Sequence, residues 1–510
     1  MNQKSVRDQI RVRFAPSPTG PLHIGGLRTA LYNYLFARKH KGHIILRIED
    51  TDRKRIIPGA EQYIFDSFHW CGLDFDESPE KGGPFSPYRQ SERISIYQNY
   101  IQLLLNHGHA YYAFDTPEEL ETIRQTFLSS GIGHFQYDSH ARQSLRNSFT
   151  LSDKEIHSLL ERNAPYVIRI KVPENETVVF NDLIRGDVHV HTATLDDKIL
   201  FKSDGFPTYH FANVVDDYLM NISHVIRGEE WLPSSPMHLL LYRFFGWESE
   251  MPHFAHLPLI LKPEGTGKLS KRDGERLGFP VIPIEWKDHE SGLYFHGYRE
   301  EGYLPEALLN ILALLGWNSG TEKEVFSLAE LIELFTIERI HKSGSRFDPE
   351  KAKWFNHIYI QRVNPELLVS CLQEKAQGAP LSYDKDYCLR VIQLIKDRII
   401  LLTDLWPQSW YFFSPPVHFD LKIKEKVWKE DTPTLIQDFC HMVSDISPWG
   451  KDSLHSLVET FTHQRSIKLG YLLNPLRFLV VGSSQGPGLF EIAELLGKEE
   501  FISRISKIPE

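Results

Sequence analysis

The sequence predicts an α/β fold with a β-rich insertion and a helical C-terminal third, and three observations carry this prediction. First, an alternating run from Arg11 to Ala15 leads into a Pro/Gly-rich loop, a helical pattern from Gly25 and an isoleucine-rich run from His43. Second, short β-rich runs separated by turn residues occupy residues 166–203. Third, helical periodicity dominates from about Pro305 to the end.

The opening segment is predicted to be a βαβ unit. Leu27, Leu31 and Leu35 recur at helical spacing, and Gly42 stands where that helix should end, just before the strand that begins at His43. Parallel strands of this kind usually carry ligand sites at their carboxyl ends. We therefore expect the chemistry of the chain in the loops that follow these strands.

The central and C-terminal parts differ in pattern. The four predicted strands of an inserted lobe are Tyr166 to Val172, Thr177 to Ile184, Asp187 to Ala193 and Ile199 to Ser203. Alternation resumes with a strand at Ser223 to Arg227 and a helix at Met237 to Phe245. Further helices are predicted at Glu306 to Leu315, Leu328 to Phe335 and Cys388 to Leu402.

Composition excludes several classes of protein. At ~150 residues per domain, 510 residues suggest roughly three or four domains rather than one small module. The four cysteines are isolated, which argues against a Cys-x-x-Cys zinc or redox site. No stretch supplies the ~20 apolar residues of a membrane span, so we expect a cytoplasmic protein. The net charge of −10 argues at first sight against a nucleic-acid partner.

The loop from Pro16 to Gly26 is the strongest local signal. It joins a strand to a helix, where N–H groups and the helix dipole favour anions, glycines admit phosphates, and His23 can donate a hydrogen bond. Taken alone, the segment fits equally a Pro/Gly-rich turn with an exposed histidine.

A second signal is the basic cluster Lys268-Leu269-Ser270-Lys271-Arg272, which glycines flank on both sides. Two lysines three residues apart suit a triphosphate whose charge moves onto leaving pyrophosphate. An isolated cluster of this kind is more often a solvated surface loop. Together, however, the two segments resemble the HIGH and KMSKS signatures of class I aminoacyl-tRNA synthetases.

The resemblance extends over essentially the whole chain and is closest to bacterial glutamyl-tRNA synthetases. The segments that carry it are Arg13 to Gly20, Arg47 to Asp52, Gly83 to Arg93, Ser203 to His210, Asn213 to Asp217, Val225 to Trp231 and Gly486 to Glu491. It implies a Rossmann-like catalytic domain (1–105 and 206–255) with an inserted α+β acceptor-end-binding lobe (106–205). A KMSKS-loop connecting domain (256–330) and an all-helical anticodon-binding region (331–510) would follow.

Such enzymes join L-glutamate to ATP and pass it from the adenylate to tRNA(Glu), so ATP, Mg²⁺ and tRNA are the expected partners. The resemblance implies that Arg13 and Arg227 grip carboxylates and that Glu49 meets the ammonium of glutamate. Ser17, Tyr209 and Asn213 would complete the hydrogen bonding. A monomer without a membrane partner is expected of this family.

The resemblance also implies the residues that handle ATP. His23, Lys268 and Lys271 would be catalytic, and the ATP-binding residues would be Thr19, Gly20, His23, Gly25, Gly26 and Lys271. We expect electrostatic positioning rather than acid–base catalysis, because the attacking carboxylate is already ionised at pH 7.

The sequence departs from the class pattern at three positions. Gly26 replaces the second histidine of HIGH, and Leu269 and Arg272 alter the KMSKS-like loop. Some bacterial members hold zinc in the inserted lobe, but the corresponding stretch, Ala110 to Arg142, has no cysteine. We therefore expect no structural zinc.

The segment from Arg339 to Arg362 carries six basic residues against two acidic ones, with aromatic residues interleaved. This pattern suits an unstacked anticodon loop, or equally an amphipathic helix whose aromatic face is buried. Leu331 to Glu510 hold 22 basic and 23 acidic residues, so most of the negative net charge lies in the residues before Leu331. We expect tRNA to bind a limited basic surface and to dissociate with salt.

Gln361 occupies the place where discriminating members of the family carry an arginine that reads the third anticodon base. An amide can donate and accept, so we hypothesise that the enzyme also charges tRNA(Gln). Alternatively, Gln361 is a neutral surface substitution. The other identities considered are a glutaminyl-tRNA synthetase, a truncated tRNA-modifying paralogue and an inactive tRNA-binding protein.

Overall fold

The computed structural model describes residues 9–130, 135–288, 292–375, 384–417 and 419–507. Parts of the predicted domains 1–105, 106–205, 256–330 and 331–510 therefore lie outside the described residues. The chain divides into two compact units, of which the first comprises Met1–Tyr298 with Leu308–Pro349 and the second Arg299–Ala307 with Glu350–Glu510. No helix in the described ranges is both long and apolar enough to span a membrane.

The strands are short. They are β1 (Arg11–Phe14), β2 (His43–Leu46), β3 (Ala110–Ala113), β4 (Val167–Ile170), β5 (Thr177–Asp182), β6 (Gly186–His191), β7 (Ile199–Phe201), β8 (His224–Gly228), β9 (His253–Leu257), β10 (Ile260–Leu261), β11 (Trp286–Lys287), β12 (Tyr294–Phe295) and β13 (Ser345–Arg346). All of them lie in the first unit. The strands predicted in residues 166–203 and at Ser223 to Arg227 are thus present within two residues of their expected bounds.

Helices connect these strands. Those that begin before Pro349 are α1 (Ile24–Lys39), α2 (Ala60–Cys71), α3 (Ile94–Asn106), α4 (Pro117–Ser129), α5 (Asp153–Glu161), α6 (Tyr209–Leu219), α7 (Ser235–Phe244), α8 (Lys271–Leu277), α9 (Tyr298–Glu301), α10 (Pro305–Leu314) and α11 (Leu328–Leu334). Helix α1 is followed by Gly42, where a Cβ would lie 2.2 Å from the carbonyl oxygen of Ile10. The turn into β2 therefore requires glycine at that position.

A two-stranded sheet, β1-β2, adjoins a four-stranded sheet of order β6-β5-β9-β8, and the two together are referred to below as the catalytic sheet. Strands β1 and β2 pair in parallel, as do β8 with β9 and β9 with β5. Strand β1 adjoins the start of β8, because the N–H of Ser223 donates to the carbonyl oxygen of Arg11 at 2.9 Å. The carboxyl ends of these parallel strands therefore meet at one edge.

The predicted lobe divides between two sheets. Strands β3, β4 and β7 form a separate antiparallel sheet, whereas the hairpin β5–β6 joins β9 in the catalytic sheet. Sequence pattern did not distinguish these pairings, because a β-rich run does not indicate which strand it pairs with. The hairpin places its last residue before the turn, Asp182, opposite Phe254 of β9.

In the described residues of the second unit, all regular secondary structure is helical. Its helices are α12 (Pro349–Arg362), α13 (Pro365–Lys375), α14 (Lys385–Ile395), α15 (Leu421–Val427), α16 (Thr432–Ser444), α17 (Lys451–Gln464), α18 (Leu469–Val481), α19 (Leu489–Leu496) and α20 (Lys498–Ile505). The longer of the two stretches that form this unit begins at Glu350. Strand β13 precedes that stretch, pairs with β10 and belongs to the first unit.

The helix predicted from Cys388 to Leu402 is wrong in extent, because α14 ends at Ile395. Ile399 is extended, and two short 3₁₀ turns, Lys396–Arg398 and Leu402–Asp404, lie on either side of it. The carboxylate of Asp404 accepts from the N–H groups of Ile400 and Leu401 at 3.0 and 2.8 Å. These bonds offer the backbone an alternative to the helical ladder.

Candidate active site

A cavity of about 670 Å³ opens at the edge of the catalytic sheet where the parallel strands end. It brings together predicted site residues from five separate segments of the chain. Those that line it are Arg13, Ser17, Thr19, His23, Gly25, Gly26, Glu49, Tyr209, Asn213, Arg227, Lys268 and Lys271. Gly20 lies beside it next to Lys271, and Gln361 belongs to the second unit.

Arg227 is a buried cation in the cavity wall, with 4% of its surface exposed. Its guanidinium donates to Nε2 of His256, the hydroxyl of Tyr209 and the hydroxyl of Ser235, each at 3.0 Å. In the described part of the chain, no carboxylate lies within ion-pair distance of it. Since a buried charge is costly without a counter-charge, this site is built for an anionic ligand.

Arg13 is held differently. Its Nε and Nη2 atoms donate to the carboxylate of Asp217 at 3.1 and 3.2 Å, and Nη1 of Arg47 reaches the same carboxylate at 2.8 Å. Asp217 therefore occupies the Nε/Nη2 edge of Arg13. Nη1 and the second N–H of Nη2 are left to contact a ligand in the cavity.

Glu49 lies on the same side of the cavity. One of its carboxylate oxygens accepts from Nη2 of Arg47 at 3.1 Å and from Nδ2 of Asn213 at 3.3 Å. Burial raises the pKa of Glu49, although the positive charges of Arg47 and Arg13 oppose this shift. Its second oxygen can accept from an ammonium, and Ser17 lines the same cavity.

His23 caps the N-terminus of α1. Its Nδ1 accepts from the N–H of Gly25 at 3.0 Å, so the proton of the neutral ring is assigned to Nε2. Burial lowers the pKa of His23 to about 3, and the charges of Lys271 and Lys268 contribute to the decrease. Nε2 is buried and has no hydrogen-bond partner among the described residues. It is therefore a fixed donor available to a ligand oxygen.

Lys271 is the first residue of α8, and burial lowers the pKa of its ammonium. It has no carboxylate partner in the described ranges. A Cβ at Gly20, whose φ is +131°, would lie 3.2 Å from Nζ of Lys271. The loop after β1 and the N-terminus of α8 thus converge on one cation.

Lys268 lies at the rim, where half of its side chain is exposed, and it pairs with Glu230 at 2.7 Å. Leu269 is buried beneath it, and the N–H and hydroxyl of Ser270 both donate to the carboxylate of Asp273 in the first turn of α8, at 3.0 and 2.5 Å. The KMSKS-like segment therefore anchors one residue in the core while its two lysines face the cavity.

Sequence reasoning missed several residues that hold the predicted ones in place. Asp217, His256 and Ser235 fix the two arginines, and Trp231 packs on Tyr209 with ring centroids 4.2 Å apart. Asp217 and Trp231 belong to segments that carry the resemblance, but nothing in their spacing indicates these contacts.

In the second unit, Gln361 projects from α12 and donates from Nε2 to the carbonyl oxygen of Lys396 at 2.8 Å. Trp354 on the same helix is 45% exposed, whereas Phe355 is buried. The predicted basic segment is divided, because Arg339 and Arg346 lie in the first unit. There they donate to backbone carbonyl oxygens, of Ser319 and of Gly265, rather than to carboxylates.

A second polar cavity, of about 330 Å³, lies in the second unit and is lined by Tyr411 and the loop from Gly482 to Gln485. The hydroxyl of Tyr411 and Nη1 of Arg477 are buried without partners among the described residues. Both approach Gly486, where a Cβ would lie 3.4 and 3.3 Å from them. In the sequence, Gly486 is recognisable only as part of a segment that carries the family resemblance.

Comparison with known proteins also divides the chain into two parts. The model of the family "tRNA synthetases class I (E and Q), catalytic domain" matches residues 9–354, and "Anticodon binding domain" matches residues 359–509. The chain is 52% identical to a glutamate–tRNA ligase of Christiangramia forsetii and 51% identical to that of Bacteroides fragilis. Each alignment covers 98% of this chain and 99% of the relative.

A crystal structure of a glutamate tRNA ligase from Elizabethkingia meningosepticum in complex with its amino acid is also similar. It has a TM-score of 0.93 and 47% identity over 98% of this chain and 99% of that chain. A structure from Elizabethkingia anophelis gives a TM-score of 0.90, with the same identity and coverage. The family predicted from the motifs is confirmed: the chain belongs to the glutamate–tRNA ligases, class I aminoacyl-tRNA synthetases.

Proposed function

We propose that this chain activates L-glutamate with ATP and transfers it to the 3′ end of tRNA(Glu). The observation that carries the proposal is the buried, uncompensated cation of Arg227, which shares one cavity with the carboxylate of Glu49 and the fixed donor of His23. An acidic amino acid and a nucleotide phosphate match these three groups in charge.

Glutamate recognition requires partners for two carboxylates and one ammonium. Arg227, with Tyr209 beside it and Nη1 of Arg13 nearby, binds the side-chain carboxylate. Glu49, Asn213 and Ser17 surround the ammonium. Glutamine is rejected because its neutral amide leaves the buried guanidinium of Arg227 uncompensated, which costs more than a lost apolar contact.

Activation takes place between the two ends of the cavity. An oxygen of the α-carboxylate of glutamate attacks the α-phosphorus of ATP, the bond to the β-phosphate breaks, and pyrophosphate leaves. Nε2 of His23 donates to a phosphate oxygen, and Lys271 meets the charge that develops on pyrophosphate. Lys268, paired with Glu230 at the rim, joins it when ATP enters. Mg²⁺ bound to ATP would neutralise part of the phosphate charge.

Transfer follows in the same cavity. A hydroxyl of the terminal ribose attacks the carbonyl carbon of the adenylate, AMP leaves, and the hydroxyl proton passes to AMP or solvent. In the second unit, the exposed Trp354 is suited to stack on an unstacked base of the anticodon loop.

ATP–pyrophosphate exchange with glutamate, run with and without tRNA, tests the proposal. We expect exchange by the wild type and a roughly 10²–10³-fold lower rate for Lys271→Ala, because one donor to the developing charge is lost. Arg276→Ala removes an equal charge from the exposed side of α8 and serves as the control. No exchange by the wild type, or near-normal exchange by Lys271→Ala, would contradict the proposal.

We also propose that the enzyme charges tRNA(Gln). Gln361 uses Nε2 to bond Lys396, which leaves its carboxamide oxygen to accept from the N1–H and N2–H₂ donors of guanine. An arginine at this position could only donate and would conflict with those groups. The product would be glutamyl-tRNA(Gln), which an amidotransferase must then convert.

Aminoacylation of purified tRNA(Gln) and tRNA(Glu) measures this second proposal. We expect the wild type to charge both, and Gln361→Arg to lose charging of tRNA(Gln) by roughly tenfold or more because donors then face donors. Gln393→Arg, an exposed change on α14 of the same unit, controls for the added charge. Strict rejection of tRNA(Gln) by the wild type would refute the proposal.

A further inference from the structure

Three polar residues from neighbouring strands form a chain that ends at the cavity. Asp182 ends β5, His256 lies on β9, and Arg227 lies on β8. Arg227 and His256 are direct partners in the parallel ladder, and β5 pairs with the other side of β9 through Asp182 and Phe254. The exposed fractions of Asp182, His256 and Arg227 are 1%, 0% and 4%, so solvent does not separate them.

The hydrogen bonds of this chain have one possible direction. Oδ2 of Asp182 lies 2.6 Å from Nδ1 of His256, and Nε of Arg227 donates to Nε2 of His256 at 3.0 Å. A guanidinium only donates and a carboxylate only accepts, so Nδ1 of His256 carries the proton and Nε2 holds the lone pair. Any other tautomer would place two hydrogens or two lone pairs face to face.

The carboxylate at the far end is itself fixed. Oδ1 of Asp182 accepts from the N–H groups of Ile184 and Arg185 at 3.0 and 2.9 Å. Although burial opposes it, the bond from His256 and these N–H groups lower the pKa of Asp182, which keeps the carboxylate ionised. Burial lowers the pKa of His256, so its ring stays neutral between the two charges.

We propose that Asp182 and His256 are positioning residues for glutamate selectivity, acting through Arg227. A carboxylate in direct contact with Arg227 would orient it but would also neutralise it for the ligand. Here the imidazole of His256 separates the two, so the guanidinium is oriented by a neutral acceptor and keeps its charge for the cavity. This inference rests on the proposed function, because it assumes that Arg227 binds the side chain of glutamate.

The physical consequence concerns the discrimination between carboxylate and amide. With Nε bound to His256 and Nη2 bound to Ser235, the guanidinium cannot rotate, and Nη1 stays beside Tyr209. Without His256 the side chain gains freedom, and the binding of glutamate must then supply the lost order. Residues that contact ATP, such as His23 and Lys271, make none of these bonds.

The test is steady-state ATP–pyrophosphate exchange in the presence of tRNA, with KM for glutamate, KM for ATP and the preference for glutamate over glutamine measured together. We expect His256→Leu and Asp182→Asn to raise KM for glutamate roughly tenfold or more, the effect of losing a charge-assisted hydrogen bond. KM for ATP should change less than about twofold, and the preference for glutamate should fall in parallel.

Two further variants separate positioning from a merely structural role. His256→Gln retains a donor and an acceptor at similar spacing and should recover much of the selectivity that His256→Leu loses. Tyr88→Phe removes a buried hydrogen bond to Glu77 that lies outside the cavity wall, and should leave KM for glutamate unchanged. Circular dichroism and thermal melting establish that each variant is folded.

The outcomes are distinguishable. An inactive wild type would overturn the proposed function and this inference with it. An active wild type would overturn this inference alone under either of two results: KM for glutamate is unchanged in both Asp182→Asn and His256→Leu, or KM for ATP and for glutamate rise equally. If His256→Leu fails to fold, Asp182→Asn and His256→Gln decide the matter, because both preserve side-chain volume.

Discussion

At the scale of single residues, the ionisable groups of the cavity differ in the charge they offer a ligand, because each has a different partner. Arg13 is paired with Asp217, whereas Arg227 is bound only by neutral groups, so these two arginines differ in the charge they offer a ligand. Glu49 and His23 differ in a similar way, since burial raises the pKa of one and lowers that of the other. Both shifts favour the uncharged form, but only Glu49 has a proposed role that requires its ionised form.

This difference predicts the pH dependence of glutamate binding. As pH falls through the raised pKa of Glu49, its carboxylate is protonated and the partner of the ammonium is lost, so kcat/KM for glutamate should fall. His23, with a pKa of about 3, remains neutral and does not produce this limb. Glu49→Gln should lower the plateau by ~10-fold or more and remove the acid limb, as pH–rate profiles would reveal.

The control for that profile is Glu92→Gln, an exposed carboxylate of the same unit. An acid limb of the same midpoint in Glu49→Gln would show that another group titrates.

At the scale of elements, the site depends on the meeting of the loop after β1 with the N-terminus of α8. Gly20 contributes no side chain, and the space that a Cβ would take borders the ammonium of Lys271. Its φ of +131° is also a conformation that residues with a side chain rarely adopt. Glycine is therefore required at this position for two reasons: its φ is one that other residues rarely adopt, and a side chain would crowd the ammonium of Lys271.

Gly20→Ala should consequently raise KM for ATP and slow exchange, because the new methyl group displaces Lys271. The backbone strain should also lower the free energy of unfolding by about 1–3 kcal/mol. Gly72→Ala is the matched control, since Gly72 has a φ of +65° but open space around its Cβ position. It should lose stability and keep its KM for ATP; equal kinetic effects in the two variants would contradict the prediction.

At the scale of the whole molecule, the sequence allowed the site to be located because its residues belong to short motifs, many of them at or just after the carboxyl ends of strands. Twelve of the predicted residues line one cavity, although they come from positions as distant as Arg13 and Lys271. The family and the helical nature of the second unit were also predictable. Periodicity and local motifs report these features, since each depends on a short stretch of chain.

Other features were not predictable because they depend on pairing between distant segments. The run that ends at Asp182 has the same β-rich pattern as the strands of the inserted lobe, yet it pairs with β9. The ion pair between Arg13 and Asp217 also depends on the packing of α6 against the strands. The predicted extension of α14 to Leu402 is replaced by a turn in which the N–H groups of Ile400 and Leu401 donate to Asp404, a carboxylate beyond the helix.

Arg227 and His256 lie opposite each other only in the observed register of β8 and β9. A slip of one residue between β8 and β9 would place Ala255 or Leu257 opposite Arg227 and turn the imidazole to the other side of the sheet. The connection 245–252, all of it described, leads into β9 and contributes no residue to the lining of the cavity. An insertion or deletion there that shifted β9 by one residue would separate His256 from Arg227 without changing any side chain of that lining.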